Sequence, residues 1–308
     1  MTSNNVSAII LAEGPNGLGA VRSLSKKNIA VETISFKTTD PSLYSRLPKS
    51  KLTITRDKEL LLNILMEKES SGQVLIPTSD WCVNFLVEYQ SKLTDKYKFV
   101  LPQEGLSSKF IDKKIEVELV DKWTDVPQSI LSLPDTPEAL SEIIDFPIII
   151  KPRSNEMNYL GQKNIIVENA QELDSFYQEF GQYLEYCIAQ EVILGDDDTL
   201  WVCNCVFDND SNLINAFTFQ RLHLAPAHFG VTSYATSKLN TDVIKSVERL
   251  GKGLNYIGPA MVEFKYDNKD NIYKYIEVNP RLGLCNYFDT SCGKNNVYAT
   301  YCLAKDLT

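Results

Sequence analysis

The sequence predicts an α/β domain over residues 1–105 followed by an α+β region, and three features of the pattern predict it. The first hundred residues alternate short apolar runs with helical segments, the arrangement that builds a parallel sheet covered on both faces. The remainder mixes helices with strand runs that follow one another directly. Two of those runs flank the Asp/Asn-rich stretch Asp267–Asn271, a hairpin signal.

In chain order, Val6–Leu11 reads as a first strand and Gly14-Pro-Asn-Gly-Leu-Gly19 as a turn leading into a helix over Ala20–Lys27. Val31–Phe36 is the second strand, Leu60–Lys68 a helix, Gln73–Pro77 a buried strand, Trp81–Leu93 a helix and Phe99–Leu101 a strand. Beyond it, Asp112–Lys122 is helical, Phe146–Lys151 and Asn164–Glu168 are strands, and Ala170–Tyr186 is an amphipathic helix. Strands follow at Cys187–Leu194, Trp201–Phe207 and Leu213–Arg221, then a helix at Asp242–Leu254 and a hairpin of Ala260–Tyr266 with Ile272–Val278. No internal repeat or low-complexity linker interrupts them.

With 308 residues, 44% of them hydrophobic, the chain can bury a substantial core. The net charge of −9 disfavours nucleic acid as a partner, because an acidic chain repels a phosphate backbone. No apolar run is long enough to span a bilayer, and the polar Met1–Ser7 segment lacks the basic start of a signal peptide. A cytoplasmic protein without a membrane partner is expected. Seven cysteines without a CxxC pair fit reduced thiols, and two histidines make a zinc site improbable. Any metal should be a hard ion held by oxygen.

The most informative chemistry lies in the hairpin. Side chains alternate along a strand, so Glu277, Asn279 and Arg281 share a face, and an odd-length turn sets Glu263 opposite Glu277. Two carboxylates and an amide oxygen suit magnesium, which bridges a few carboxylates to phosphates. The Glu-x-Asn-Pro-Arg tail alone would read as ordinary charge alternation on a solvent-facing hairpin; the second Glu favours the metal. Lys151 ends an apolar strand and Lys113 opens a helix, so both could neutralise phosphate, although either alone reads as a surface lysine. The apolar run Cys187–Gly195 with Asp196–Asp198 after it could hold an adenine and a ribose, or could be a strand ending in a solvated turn.

These positions together resemble the ATP-grasp superfamily: Lys113, Ile148-Ile-Ile-Lys-Pro152, Gln190-Glu-Val-Ile-Leu-Gly195, Glu263 and Glu277-Val-Asn-Pro-Arg281. The resemblance implies an ATP-grasp fold preceded by a Rossmann-like domain, with the latter at 1–105, a central subdomain with the phosphate flap at 106–189 and a C-terminal subdomain with the magnesium site at 190–308. It implies that Lys113 and Lys151 contact ATP phosphates, and that Glu191 and Ile193, with Gln190 nearby, meet adenine mostly through backbone. Asp197, with Asp198 as alternate, would take the ribose hydroxyls. Glu263 and Glu277 would hold Mg2+, with Asn279 on a second ion and Mn2+ able to substitute. Arg281, with Arg221 second, would stabilise the acyl phosphate or orient the acceptor.

Asn16-Gly-Leu-Gly-Ala-Val-Arg-Ser-Leu24, Ile76-Pro-Thr-Ser-Asp80 and the stretch Arg221 to His228-Phe-Gly-Val231 are similar to carboxylate–amine ligases of the D-aspartate ligase and carbamoyl-phosphate synthetase-like type. That implies an ATP- and magnesium-dependent ligase that forms a C–N bond through an acyl phosphate and releases ADP and phosphate. Its substrates would be a small carboxylate and an amine such as an amino acid, and a homodimer is compatible with it. The alternative is a catalytically weak nucleotide-binding regulatory or partner subunit. Two departures bear on this choice. The flap, Pro152–Asn164, carries one glycine, Gly161, where the superfamily is glycine-rich; and ligases of this type often continue beyond the metal motif, whereas this sequence ends at Thr308. A nicotinamide dehydrogenase is disfavoured because Gly14-x-x-Gly17-x-Gly19 is not spaced as GxGxxG and no ribose-binding acid follows at the expected distance. Kinase and P-loop motifs are absent.

Overall fold

The computed structural model describes residues 6–69, 72–226 and 230–307. Its strands fall into three sheets. The first is parallel and contains β1 (Ala8–Ala12), β2 (Val31–Ser35), β3 (Ser50–Thr53), β4 (Gln73–Pro77) and β5 (Tyr97–Lys98), in the order β3-β2-β1-β4-β5. Ile9 and Leu11 face a core with Leu61, Leu65 and Phe85, while Ala8, Ile10 and Ala12 face one with Val21, Leu24, Val297 and Tyr301. Both faces are covered, which is why β1 is apolar throughout.

The expected glycine turn is instead the first turns of the helix Gly14–Ser25. Its glycines serve close approach: a Cβ on Gly17 would lie 2.6 Å from the Ala12 Cβ, and one on Gly19 would lie 2.4 Å from Asn286 Oδ1. The expected strand at Phe99–Leu101 is also displaced. Pairing with β4 stops at Lys98, and Phe99 and Leu101 pack below the sheet as irregular chain. The helix over Trp81–Leu93 is two helices, Asp80–Glu88 and Gln90–Leu93, broken at Tyr89.

The second sheet is antiparallel and holds β6 (Ser129–Ile130), β7 (Ile148–Pro152), β8 (Ile165–Val167) and β9 (Cys187–Glu191), in the order β6-β9-β7-β8. The helix Ala170–Phe180 covers it through Leu173 and Phe176. The third sheet holds β10 (Leu200–Phe207), β11 (Leu213–Ala225), β12 (Val231–Ser237), β13 (Gly258–Asp267) and β14 (Ile272–Asn279), in the order β12-β11-β10-β13-β14. The helix Thr241–Gly253 buries Val243, Val247 and Leu250 against Cys203, Cys205 and Phe207. The strands β3, β6 and β12 were not anticipated.

Two further helices, Asn286–Ser291 and Asn296–Ala304, return to the first sheet and fasten it to the third. Asn16 Nδ2 donates to the carbonyls of Thr78 at 2.8 Å and Leu282 at 2.9 Å. The Ser23 and Thr290 hydroxyls meet at 2.7 Å, Asn295 Nδ2 donates to Ser23 O at 2.9 Å, and Lys305 Nζ donates to Gly72 O at 2.5 Å. All seven cysteines are free thiols, four of them buried. No described helix is long and apolar enough to cross a membrane.

Candidate active site

The hairpin register is the one the alternation predicts: Glu263 on β13 stands opposite Glu277 on β14, one residue before a bulge at Phe264. Two carboxylates facing each other across a ladder are destabilising unless a cation joins them. Here Arg221, half-buried on β11, donates to the buried Glu263 at 2.5 Å. Burial raises the Glu263 pKa, and Arg221 pulls it back. The pairing is incomplete, because the buried Arg221 Nε has no hydrogen-bond partner. Glu277 accepts from Asn279 Nδ2 at 3.3 Å and has no ion pair among the described residues. Arg281 then links outward. Its Nη2 donates to Asn279 Oδ1 at 3.0 Å, and its Nε and Nη2 reach Asp80 Oδ1 and Oδ2 at 2.7 and 3.2 Å.

The donor set fits a hard divalent cation bridging to phosphate. It offers carboxylate and amide oxygens, one carboxylate without a cation and an arginine standing in for one on the other. Among the described residues no group of three or more His, Cys, Asp or Glu side chains encloses a metal on its own. That is as expected for magnesium, which commonly takes one or two carboxylates and completes its shell with phosphate and water.

The lysines come from the second sheet and the helix before it. Lys151 ends β7, and its Nζ donates to Gln190 Oε1 on β9 at 2.7 Å; Gln190 Nε2 in turn donates to Ser129 Oγ at 2.8 Å. Loss of solvent around the ammonium, reinforced by the charge of Lys113, brings Lys151 down to about 8. Glu277 and Glu116 act in the opposite sense, so the lysine lies within electrostatic reach of the carboxylate hairpin. Lys113 opens the helix Lys113–Val120, where Asp112 caps the N-terminus, and its N–H donates to Arg153 O at 2.8 Å.

Two residues that sequence reasoning missed belong to this cluster. Glu116, one turn along the Lys113 helix, is buried and accepts from Tyr275 Oη at 2.5 Å and from the Val278 N–H at 3.2 Å. Burial lifts its pKa to about 7. Lys163, on the flap, has a charge that acts on both Lys151 and Glu263. A lysine two residues before the strand that pairs with the Lys151 strand was the available signal. Within the segment 152–164, Gly161 takes φ +69°, Leu160 is buried, and Tyr159 stacks on Tyr183 at 4.8 Å.

The segment after β9 is already engaged in part. The Glu191 N–H donates to Gln128 O at 2.9 Å, and its carboxylate accepts from Gln128 N at 2.9 Å and Lys274 Nζ at 2.6 Å. Ile193 is buried. Asp197 and Asp198 sit on a short 3-10 turn, Asp197–Thr199, where Asp197 Oδ2 accepts from the Leu224 N–H at 2.8 Å and Asp198 O accepts from Gln220 Nε2 at 2.6 Å. His228 and Phe229 lie outside the described residues.

No protein-family model matches the chain. A D-aspartate ligase of Enterococcus faecium is 23% identical over 284 residues, covering 83% of this chain and 66% of that enzyme. An N5-carboxyaminoimidazole ribonucleotide synthase of Staphylococcus epidermidis is 26% identical over 164 residues, covering 53% of this chain and 42% of that enzyme. The chain therefore spans slightly under two thirds of the first relative's length and less of the second's. Among solved structures, biotin carboxylase of Campylobacter jejuni bound to an ATP analogue superposes with a TM-score of 0.76 at 15% identity, covering 99% of this chain and 72% of that one. An ADP complex of N5-carboxyaminoimidazole synthetase from Staphylococcus aureus gives a TM-score of 0.73 at 16% identity, covering 99% and 78%. With one parallel sheet and two antiparallel sheets that superpose on these structures over 99% of its length, the chain has the ATP-grasp fold.

Proposed function

We propose that the chain is an ATP-dependent ligase that joins a small carboxylate to an amine, an amino acid among the candidates, through an acyl phosphate, with release of ADP and phosphate. The observation that carries this reading is the opposed pair Glu263 and Glu277, with Lys151 in electrostatic reach of Glu277 and Lys113 in reach of Lys151. Bound magnesium would screen the phosphates and draw charge from the transferring group. Glu263, Glu277 and Asn279 would hold it, with Arg221 swinging off Glu263. Lys151, fixed by Gln190, and Lys113 would neutralise the phosphates. The buried Ile193 would flank the adenine, and Asp197 or Asp198 would take the ribose. Arg281 would hold the carboxylate or the oxyanion that forms on it. The parts 1–105, 106–189 and 190–308 would carry acceptor, flap and metal in turn.

The reading is tested by ADP release with MgATP across paired carboxylates and amines. ADP release that needs both partners is the expected result. The single-glycine flap favours a second reading, a nucleotide-binding partner subunit. It predicts magnesium-dependent ATP binding with no ADP release from any pair.

A further inference from the structure

Of the three tryptophans, Trp81 packs on Phe36 at 4.7 Å with the Arg56 guanidinium over its ring, and Trp201 meets Tyr273 at 5.9 Å with the Lys238 ammonium over it. Trp123 is 41% exposed and has neither an aromatic partner nor a cation over its ring among the described residues. It is held in place all the same. Its backbone N–H donates to Val120 O at 2.8 Å, just past the helix Lys113–Val120. A Cβ on Gly253 would run into Cγ, Cδ2 and Cε2, the atoms at the middle of the indole, so the ring lies flat on the Gly253 backbone. The ring, open on its other side, lines a groove of about 800 Å³ between the loop 121–125 and the end of the helix Thr241–Gly253. That volume is in the range of small-ligand sites. None of the candidate active-site residues lines it.

The groove is also sorted by charge. Asp121 and Asp125 line both it and a second cavity of about 440 Å³ that runs on to Glu191 and Lys274, whereas Lys122, Arg249 and Lys252 line the first alone. The acids thus stand where the two cavities meet, and the cations away from that junction. Lys252 is engaged, donating to Asp210 O at 3.0 Å and Asn212 Oδ1 at 2.7 Å. Arg249 is exposed, has no ion pair among the described residues, and makes one long bond, from Nη2 to Ser246 Oγ at 3.3 Å. Arg249 and Gly253 are four residues apart on one helix, so they share a face and lie about 6 Å apart along its axis. A guanidinium with its charge available therefore stands one turn from the seat of the indole.

We propose that this groove is a second ligand site, for a flat aromatic ring that carries an anionic group, the ring stacked on Trp123 and the anion on Arg249. Offset stacking suits the free indole face, and a guanidinium pairs a carboxylate or a phosphate through two N–H bonds. A cationic ring would find the same indole but would meet Arg249 one turn away. A nucleoside monophosphate and an aromatic carboxylic acid share the chemistry that fits. The inference does not depend on the ligase reading.

Calorimetry on the full chain tests this without turnover. The probes are AMP and indoleacetate, which carry ring and anion, adenosine and tryptamine, which carry the ring without the anion, and inorganic phosphate, the anion without the ring. AMP or indoleacetate should bind wild type about 10- to 100-fold more tightly than its counterpart without the anion and than phosphate, the scale of one charge-assisted hydrogen bond. Tighter binding of AMP would name the nucleotide class, and of indoleacetate the aromatic acids. Arg249→Gln, at an exposed position, should erase that margin with the melting temperature unchanged. Trp123→Ala should weaken the same probe about 10-fold, the scale of one stacked base, and Trp123→Phe, which keeps a ring, should restore most of it. Failure of both AMP and indoleacetate to bind overturns the proposal, as does tryptamine binding more tightly than indoleacetate. Binding that survives both Arg249→Gln and Trp123→Ala places the probe elsewhere, AMP at the Glu263–Glu277 hairpin included, and overturns it too.

Discussion

Two buried carboxyl groups, Glu116 and Asp289, have the same burial and the same displaced titration, and they do different work. Both are pushed up to about 7 by loss of solvent. Glu116 lies among charges: Lys113 pulls its pKa down, Glu277 pushes it up, and its hydrogen bonds come from Tyr275 and Val278 on the Glu263–Glu277 hairpin. Asp289 lies among amides. Asn204 Nδ2 donates to one oxygen at 2.9 Å and Asn296 Nδ2 to the other at 2.8 Å. These residues join β10 to the last two helices. A shifted pKa therefore marks burial at both places. What distinguishes the Glu116 cluster is the company of other ionisable groups.

The comparison can be broken at three strengths. The strongest test is Glu277→Gln, which removes one anionic ligand and keeps shape; turnover should fall to background while the circular dichroism spectrum and melting temperature hold. Glu263→Gln should act alike, since either leaves one carboxylate on the hairpin. Wild-type rates in either would make the hairpin carboxylates structural, as the Asp289 cluster is. Next is Arg281→Ala, expected to lower kcat by roughly 10²–10³, the scale of one preorganised oxyanion donor. ATP affinity should change little. Turnover per folded molecule that stays normal while the melting temperature drops would assign Arg281 to holding the sheets together through Asp80.

The mildest test is on the amide side. A carboxyl whose folded pKa is about 7 binds more protons in the native than in the unfolded chain between about pH 4 and 7. Its contribution to stability is full below that window and is lost as pH rises through 7. Asp289→Asn removes this loss. Denaturant unfolding across pH 4–8 should show the variant gaining on wild type, by up to about 4 kcal/mol at the alkaline end. Asn204 Oδ1, buried without a partner, can accept from the new amide if its own amide turns over. Turnover per folded molecule should not change.

The hairpin was legible in sequence because its information is local. Strand alternation and a short Asp/Asn turn fix Glu263 against Glu277, and only the bulge at Phe264 escaped. Lys151 was legible as a strand end, but its partner was not, since Gln190 reaches it from β9. Glu116 carried no signal, because its partners lie 159 and 162 residues away and appear only when the Lys113 helix docks on β14. Gly14–Gly19 misled for a related reason. Glycine marks turns in the local code, but at Gly17 and Gly19 it answers to Ala12 and Asn286, which only the fold brings near. The helix Asn296–Ala304 gave no periodicity, because it is apolar on several sides and packs between the first sheet and the third.

The fastening of the first sheet to the third by the last two helices has a mechanical meaning. Asn16, Ser23, Asn295 and Lys305 bind the two across buried or half-buried hydrogen bonds, so the first sheet and the Glu263–Glu277 hairpin are tied as one piece. The second sheet carries ion pairs from Lys274 to Glu191 and from Arg153 to Asp112. Under the ligase reading, an opening that admits a nucleotide would fall to that sheet and to residues 152–164. Lys151 and Lys163 would then move with the second sheet while Glu263 and Glu277 stay with the third.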